Sequence, residues 1–280
     1  MIATPHPQRN GRTHMTTGVE EALAEHWAWW RAEREERLRQ PHGWLSLTGL
    51  HWLTDEPGTF PGVPGSWRAY QGRAEVTATA SERLVVHGRV LNGTDSITVP
   101  DDDAATFAEF GEVAVEVIVR GGRYGIRVRD PHSPVREGFT GVPTFPLRAD
   151  WVITAHLHRY PTPRDVRIDT AQQGLTGIES AIGELRFTAA GAEHSLVAFA
   201  ADDGITVLFT DATSGRTTSA WRALWAEVTP GANTVHLDFN RAVNMPSAFS
   251  EYGTCPKPPA GNALSVAVEA GEKIPTGPLG

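Results

Sequence analysis

VAVEVIVRGGRYGIRVR (residues 113–129) decides the fold. Val113–Arg120 is rich in β-branched residues, Gly121-Gly122 interrupts it, and Tyr124–Arg129 alternates apolar and charged positions. A period of two punctuated by glycine predicts strands joined by a turn. The same pattern recurs at Ala74–Ala80, Leu84–Val90, Trp151–Tyr160, Val166–Asp169, Gly183–Ala189, His194–Ala200, Ile205–Asp211, Val235–Phe239 and Leu264–Val268. Turn signals stand between them at Gly191, Asp202-Asp203-Gly204 and Ser214-Gly215. Many short strands at such spacing predict a mainly β protein with antiparallel sheets, sandwich or barrel-like, rather than βαβ units.

Upstream the period changes. Leu23, Trp27, Trp30 and Leu38 recur at helical spacing, Thr17 and Glu20 have capping-box spacing, and Pro41 stops the run. Glu33/Arg37 and Glu35/Arg39 stand in the favourable i,i+4 order, as on a solvated helix face. The expected organisation is a disordered tail over 1–16, a helix over 17–40, an N-terminal β subdomain over 41–119 and a C-terminal β domain over 120–280.

Composition narrows the function classes. The chain has 280 residues, 40% hydrophobic and 21% charged, with 28 Gly and 20 Pro, which suits a folded protein with many turns. Its net charge of −8 argues against a phosphate backbone as partner. No apolar run is long enough to cross a membrane, and residues 1–18 lack the apolar core of a secretory signal, so a cytoplasmic protein is expected. The single cysteine, Cys255, excludes an internal disulfide and a multi-cysteine zinc site.

No HExxH, GxSxG, P-loop or GxGxxG is present. His156-Leu157-His158 would put two imidazoles on one face of a strand, but a metal would need a third ligand from elsewhere, and no metal or other cofactor is expected. Asp101-Asp102-Asp103 lacks calcium-loop spacing and reads as a solvated loop. Arg123, Arg127 and Arg129 share one strand face and need anions between them, from Asp130, Glu137, Glu272 or a bound ligand. Arg222, between Trp221 and Trp225, suits cation–π packing or a carboxylate clamp. The densest unusual stretch is Leu237–Lys273. Pro256, Pro258 and Pro259 stiffen it, Asn240, Asn244 and Asn262 supply amides, and Glu272 follows a glycine.

Four segments together resemble the bacterial and archaeal DUF1684 family: GWLSLTGLHWL (43–53), RGGRYGIRVRD (120–130), LFTDATSG (208–215) followed by Arg222, and LDFNRAVNMPSAFSEYGTCPKPPAGNALSVAVEAGE (237–272). The resemblance matches Arg127 and Asp130 to an Arg-x-x-Asp, and Arg222 to the arginine after an Asp-x-Thr-x-Gly turn. It also matches Asn240, Asn244, Cys255, Asn262 and Glu272 to the terminal signature. It implies a mostly β protein and brings no activity with it. The family often reads Asn-Pro-Pro-Cys-Ala-Phe where this chain has Asn244-Met245-Pro246-Ser247-Ala248-Phe249, so a dithiol is excluded here.

These residues suggest a pocket between the Arg127 strand and the proline-rich loop. Glu272, Asp130 and Cys255 are the candidate catalytic groups, and Arg127, Arg222, Asn240, Asn244 and Asn262 the candidate ligand-binding groups. The expected function is a hydrolase- or transferase-type enzyme for a small polar or anionic substrate. The alternative is a non-catalytic binder of an anionic metabolite or peptide.

Overall fold

A computed structural model describes residues 12–276, with side-chain surroundings from residue 21 onward. The chain opens with α1 (Arg12–Arg39) and then runs through ten strands: β1 (Leu47–Trp52), β2 (Gly58–Phe60), β3 (Val63–Tyr70), β4 (Arg73–Ala78), β5 (Val85–Val86), β6 (Arg89–Val90), β7 (Gly93–Ile97), β8 (Ala104–Phe110), β9 (Val113–Arg120) and β10 (Arg123–Arg129). The expected tail lies outside the described residues up to residue 11. From residue 12 the chain is helical, so the Thr17/Glu20 pair falls inside α1 and does not mark its start.

The ten strands form a sandwich. One sheet has the order β1-β10-β9-β8-β5-β6, and the other has the order β2-β3-β4-β7. Between them lies a core in which Trp67 meets Phe107 edge-on, 6.1 Å between ring centroids, with Val76, Val115, Val117 and Ile126 around the pair. Fully burying each such side chain contributes roughly 1.5–3 kcal/mol. Strands β9 and β10 are covered on both faces. Val115, Val117, Ile126 and Val128 point into the sandwich, while Glu116, Ile118, Arg127 and Arg129 point the other way, toward the second half of the chain. Strand β10 ladders with both β9 and β1, so the first unit runs to Arg129 and not to the expected residue 119. Gly121-Gly122 is a hairpin turn inside one sheet.

The second unit begins with a short helix, α2 (Pro134–Glu137), and continues through β11 (Val152–Asp169), β12 (Thr176–Ala189), β13 (Ala192–Ala201), β14 (Gly204–Phe209), β15 (Arg222–Glu227), β16 (Thr234–Asp238) and β17 (Val243–Asn244). They make one sheet in the order β16-β11-β12-β13-β14-β15-β17. The sheet curls until β15 lies near β16, but no ladder joins them, so the barrel does not close. Its concave side holds the core, with Phe239 at the centre against Trp151, Phe187 and Phe209.

Two expected strands, Trp151–Tyr160 and Val166–Asp169, are one strand bent at a bulge between Arg159 and Arg164. Pro161 and Pro163 sit in that bulge, where no ladder donor is needed. Beyond it, the far arms of β11 and β12 fold over the outside of β14 and β15, burying Ile168 against Leu208 and Ala223.

The expected strand Leu264–Val268 forms no ladder of its own. Leu264, Val268 and Ala270 still point alternately into the core; Leu264 and Val266 bond through their backbone to Thr210 and Ala212, and beyond them side chains take over from a neighbouring strand. Asp211 accepts from the amide of Val268, and Arg222 donates to the carbonyls of Val268, Ala270 and Glu272.

Helix α1 packs mainly on the second unit. Leu38 is buried with Val135, Val142 and Phe249, Trp27 donates to the carbonyl of Asn240, and Arg31 to that of Val142. Trp29 is left exposed. No helix among the described residues is long and apolar enough to cross a membrane.

Candidate functional site

The polar residues singled out from the sequence lie in five places, most of them inside the protein. Arg127 and Arg129 face each other's strand neighbour Glu116, whose Oε2 is 3.4 Å from Arg127 Nη1 and 3.0 Å from Arg129 Nη2. The anion that keeps these guanidinium groups together is therefore Glu116, across the β9–β10 ladder, and not Asp130, Glu137 or Glu272. The ring of Trp44 lies against both, at 5.4 and 5.0 Å. Arg127 Nη2 donates to Thr254 Oγ1 at 2.6 Å, which ties the sandwich to the proline-rich loop. Cys255 lies alongside and is buried. Burial pushes its thiol pKa up, against smaller opposing effects from Ser247 and the charge of Arg127. This is the environment of an inert thiol.

Arg222 is wholly buried and pairs with wholly buried Asp211 at 2.9 Å. Its aromatic neighbour is Phe209, 5.3 Å from the guanidinium, while Trp225 is half exposed. Glu272 accepts from Arg34 Nε at 3.1 Å and from the amide of Asn244 at 2.6 Å, pinning α1 to β17. Asn244 in turn donates to the carbonyl of Lys273. Asn240 imitates a strand partner, accepting from the amide of Arg148 and donating to its carbonyl, both at 2.9 Å. Asn262 does the same for Val197, at 2.7 and 3.0 Å, and also donates to the carbonyl of Leu208. Asp130 caps a local turn through the amide of His132. Arg222, Glu272 and Asn244 thus form one buried network and Arg127 another; Asn240, Asn262 and Asp130 stand apart. The carboxylates are satisfied by the chain itself, while Asn244 Oδ1 and the Nε atoms of Arg127 and Arg222 are buried without a hydrogen-bond partner among the described residues.

Open space lies beside the Arg127 network. A cavity of about 230 Å³ opens between the sandwich and the second unit, and a second of about 380 Å³ adjoins it, sharing Asp102, Leu175, Thr176 and Ile178. The first unit contributes the β7–β8 loop and the β9–β10 turn. Gly121 is left-handed at φ +56°, and a side chain there would come into contact with the Thr176 carbonyl. Asp101 accepts from the amide of Gly122 and fixes the loop to that turn. The second unit contributes the β11–β12 connection and the loop through Thr254 and Pro256. That loop is held to the end of β11 by bonds between Ala171 and Cys255 and between Lys257 and Asp169.

The inner cavity is lined by Asp102, Arg120 and Glu179, the outer one by Asp101, Asp102, Arg123 and Arg167. Arg123, Arg167 and Glu179 form no ion pair among the described residues. Burial raises the pKa of Glu179, and the nearby charge of Asp102 adds to the shift.

A larger groove of about 880 Å³ lies on the outer face of β11–β13 and includes His156. It is the open side of a sheet, and most of its charges already pair, Asp150 with Arg148 at 2.6 Å and Glu184 with Arg186 at 3.5 Å, which leaves Glu193 without an ion pair among the described residues. His156 and His158 are exposed there, and no group of three His, Cys, Asp or Glu among the described residues is placed to hold a metal. The inter-unit cleft, with unpaired charges and walls from two units, is the better candidate.

Comparison with known proteins bears on the second unit. A family model described as "Protein of unknown function (DUF1684)" matches residues 137–273. The second unit is a DUF1684 domain. The DUF1684 match takes in β11–β17 and the buried Arg222–Glu272 network; segments 43–53 and 120–130 lie outside it. No curated protein matches the chain. Among solved structures it is similar to the uncharacterised protein from gene locus rrnAC0354 of Haloarcula marismortui, determined by solution NMR. The identity is 29%, over 48% of this chain and 77% of that one, with a TM-score of 0.41. A score that low carries no argument about architecture.

Of the charged cleft residues, the sequence drew notice only to the Asp101–Asp103 triplet and to Arg123. Arg120, Arg167 and Glu179 stand in ordinary strand contexts. Their one common signal is an unpaired charge at a strand end next to a turn.

Proposed function

We propose that the protein binds a small anionic metabolite in the cleft between its sandwich and its DUF1684 domain, without transforming it. One observation carries this reading: the cleft presents Arg123 and Arg167 without ion-pair partners, while the three groups suited to catalysis, Glu272, Asp130 and Cys255, are committed or buried elsewhere. A general base needs a lone pair facing the substrate, and both oxygens of Glu272 already accept bonds from Arg34 and Asn244. Arginine recognises carboxylate or phosphate through paired N–H groups, so two arginines from different units can close on one anion.

The test is a thermal-shift survey of small anionic metabolites, followed by recovery of each hit. A hit recovered intact, whose binding weakens about 10-fold or more in Arg123→Ala and Arg167→Ala, supports a binder. A hit that is consumed establishes an enzyme and overturns the non-catalytic reading. A hit indifferent to both substitutions removes the cleft.

A further inference from the structure

We infer that the ligand of this cleft is zwitterionic: an ammonium group sits between Glu179 and Asp102 in the inner cavity, and the anionic group turns outward to Arg123 and Arg167. This rests on the cleft being the binding site and names the class of molecule it takes.

The argument begins with charge. Glu179 on β12 and Asp102 on the β7–β8 loop come from different units and line one cavity of about 230 Å³. Two carboxylates in a partly buried space repel unless a cation or a proton lies between them. The chain's own cation in that cavity forms no ion pair with either carboxylate among the described residues. Arg120 lines the same cavity, but its Nη1 is spent on the carbonyls of Asp103 and Val119, at 2.7 and 2.6 Å, and it forms no ion pair among the described residues. The Glu179 side chain has neither a hydrogen bond nor an ion pair among them, and burial, with the charge of Asp102 adding to it, raises its pKa.

A metal ion is a poor occupant, because no third carboxylate, histidine or thiol among the described residues joins the pair. An ammonium needs only acceptors around it and no fixed coordination geometry. The space has the share of roughly eight waters, the scale of an amino-acid backbone with a short side chain and too small for a nucleotide. Ile178 and buried Leu175 line both cavities and give a hydrocarbon stem something to pack on. The outer cavity adds Arg123 and Arg167 beside Asp101 and the shared Asp102, so the inner space carries an excess of acid and the two arginines without ion pairs stand in the adjoining outer one. The order of charges fixes the orientation of the ligand.

The probes are sets of three small molecules sharing one hydrocarbon stem: an α- or ω-amino acid, the carboxylic acid lacking its amine, and the amine lacking its carboxylate. Each is titrated calorimetrically into the full chain, into Glu179→Gln and into Arg167→Ala. Both variants are first shown to melt as the wild type does; both positions reach solvent. The amino acid should bind wild type at least 10-fold more tightly than either truncated probe. Glu179→Gln should erase its advantage over the carboxylic acid, and Arg167→Ala its advantage over the amine. If the carboxylic acid binds as tightly as the amino acid and is weakened by Arg167→Ala, the anion site stands and the zwitterion is refuted. The same holds if Glu179→Gln leaves amino-acid affinity unchanged. If no stem binds in any form, or binding ignores both substitutions, the cleft itself is refuted.

Discussion

Replacing Glu272 by Gln separates a structural carboxylate from a catalytic one. The wild-type carboxylate accepts from Arg34 Nε at 3.1 Å with one oxygen and from the Asn244 amide at 2.6 Å with the other. Its side chain is 4% exposed, and that of Arg34 18%. Glutamine keeps the shape but offers only one acceptor, so its NH2 must face either the guanidinium or the Asn244 N–H. A charge-assisted bond contributes about 1.5–3 kcal/mol, and a buried donor left unmade costs about 1–3 kcal/mol. Arg34 retains some water, which lowers the total, and an estimate of about 2–4 kcal/mol follows. For a chain of this size that corresponds to a melting temperature roughly 5–10 °C lower. Differential scanning fluorimetry reads it directly. A double-mutant cycle with Arg34→Met should give a coupling of about 1 kcal/mol or more. Hydrogen exchange should show residues 31–39 opening more often, because the lost clip is one of those holding α1, beside the bonds from Trp27 and Arg31. A variant that melts within about 1 °C of wild type yet has lost an activity of the protein would refute this account and return Glu272 to chemistry.

Two further outcomes follow from local electrostatics. His132 bridges Glu112 at 2.9 Å and Glu137 at 3.2 Å, and the hydrogen bond to Glu112, then that to Glu137, raises its pKa above the ordinary 6.5. Whatever stability it adds is complete below that ordinary value and fades as pH climbs through the raised one. An NMR titration should place its midpoint above 6.5 and move it down in Glu112→Gln or at high salt; a wild-type midpoint at or below 6.5 would contradict the bridge. Cys255 should resist alkylation in the native protein at pH 8 and react only in denaturant, since burial raises its pKa and hides the sulfur. Rapid native labelling would mean that the proline-rich loop opens.

The sheets were legible because half-buried strands write their burial into the sequence as alternation, and β9, β10, β13 and β14 fall within a residue or two of the expected limits. What alternation does not record is which strands share a sheet. Gly121-Gly122 reads equally well as a hairpin turn or as a seam between domains, and only the β1–β10 ladder decides between them. The site was legible in a weaker sense. Unusual polar residues in Leu237–Lys273 were noticed for a physical reason, since Asn and Glu at core positions are costly, but most of that cost is met within the chain, Asn244 Oδ1 excepted. Asn262 and Asn240 stand in for missing strands, and Glu272 fastens a helix. The cleft arises where Asp102 meets Glu179, residues of two separate units, and no local pattern announces a meeting of that kind.

The clip between Arg34 and Glu272 spans 238 positions of chain. Ribosomes add about 5–20 residues per second, so α1 leaves the exit tunnel roughly 10–50 seconds before its anchoring carboxylate has been made. In that interval Trp27 and Leu38 have no seat, and the finished sandwich hangs beside an undocked helix. The order of synthesis therefore makes the first element built one of the last to settle, and leaves the nascent chain with a sticky handle that a chaperone could hold.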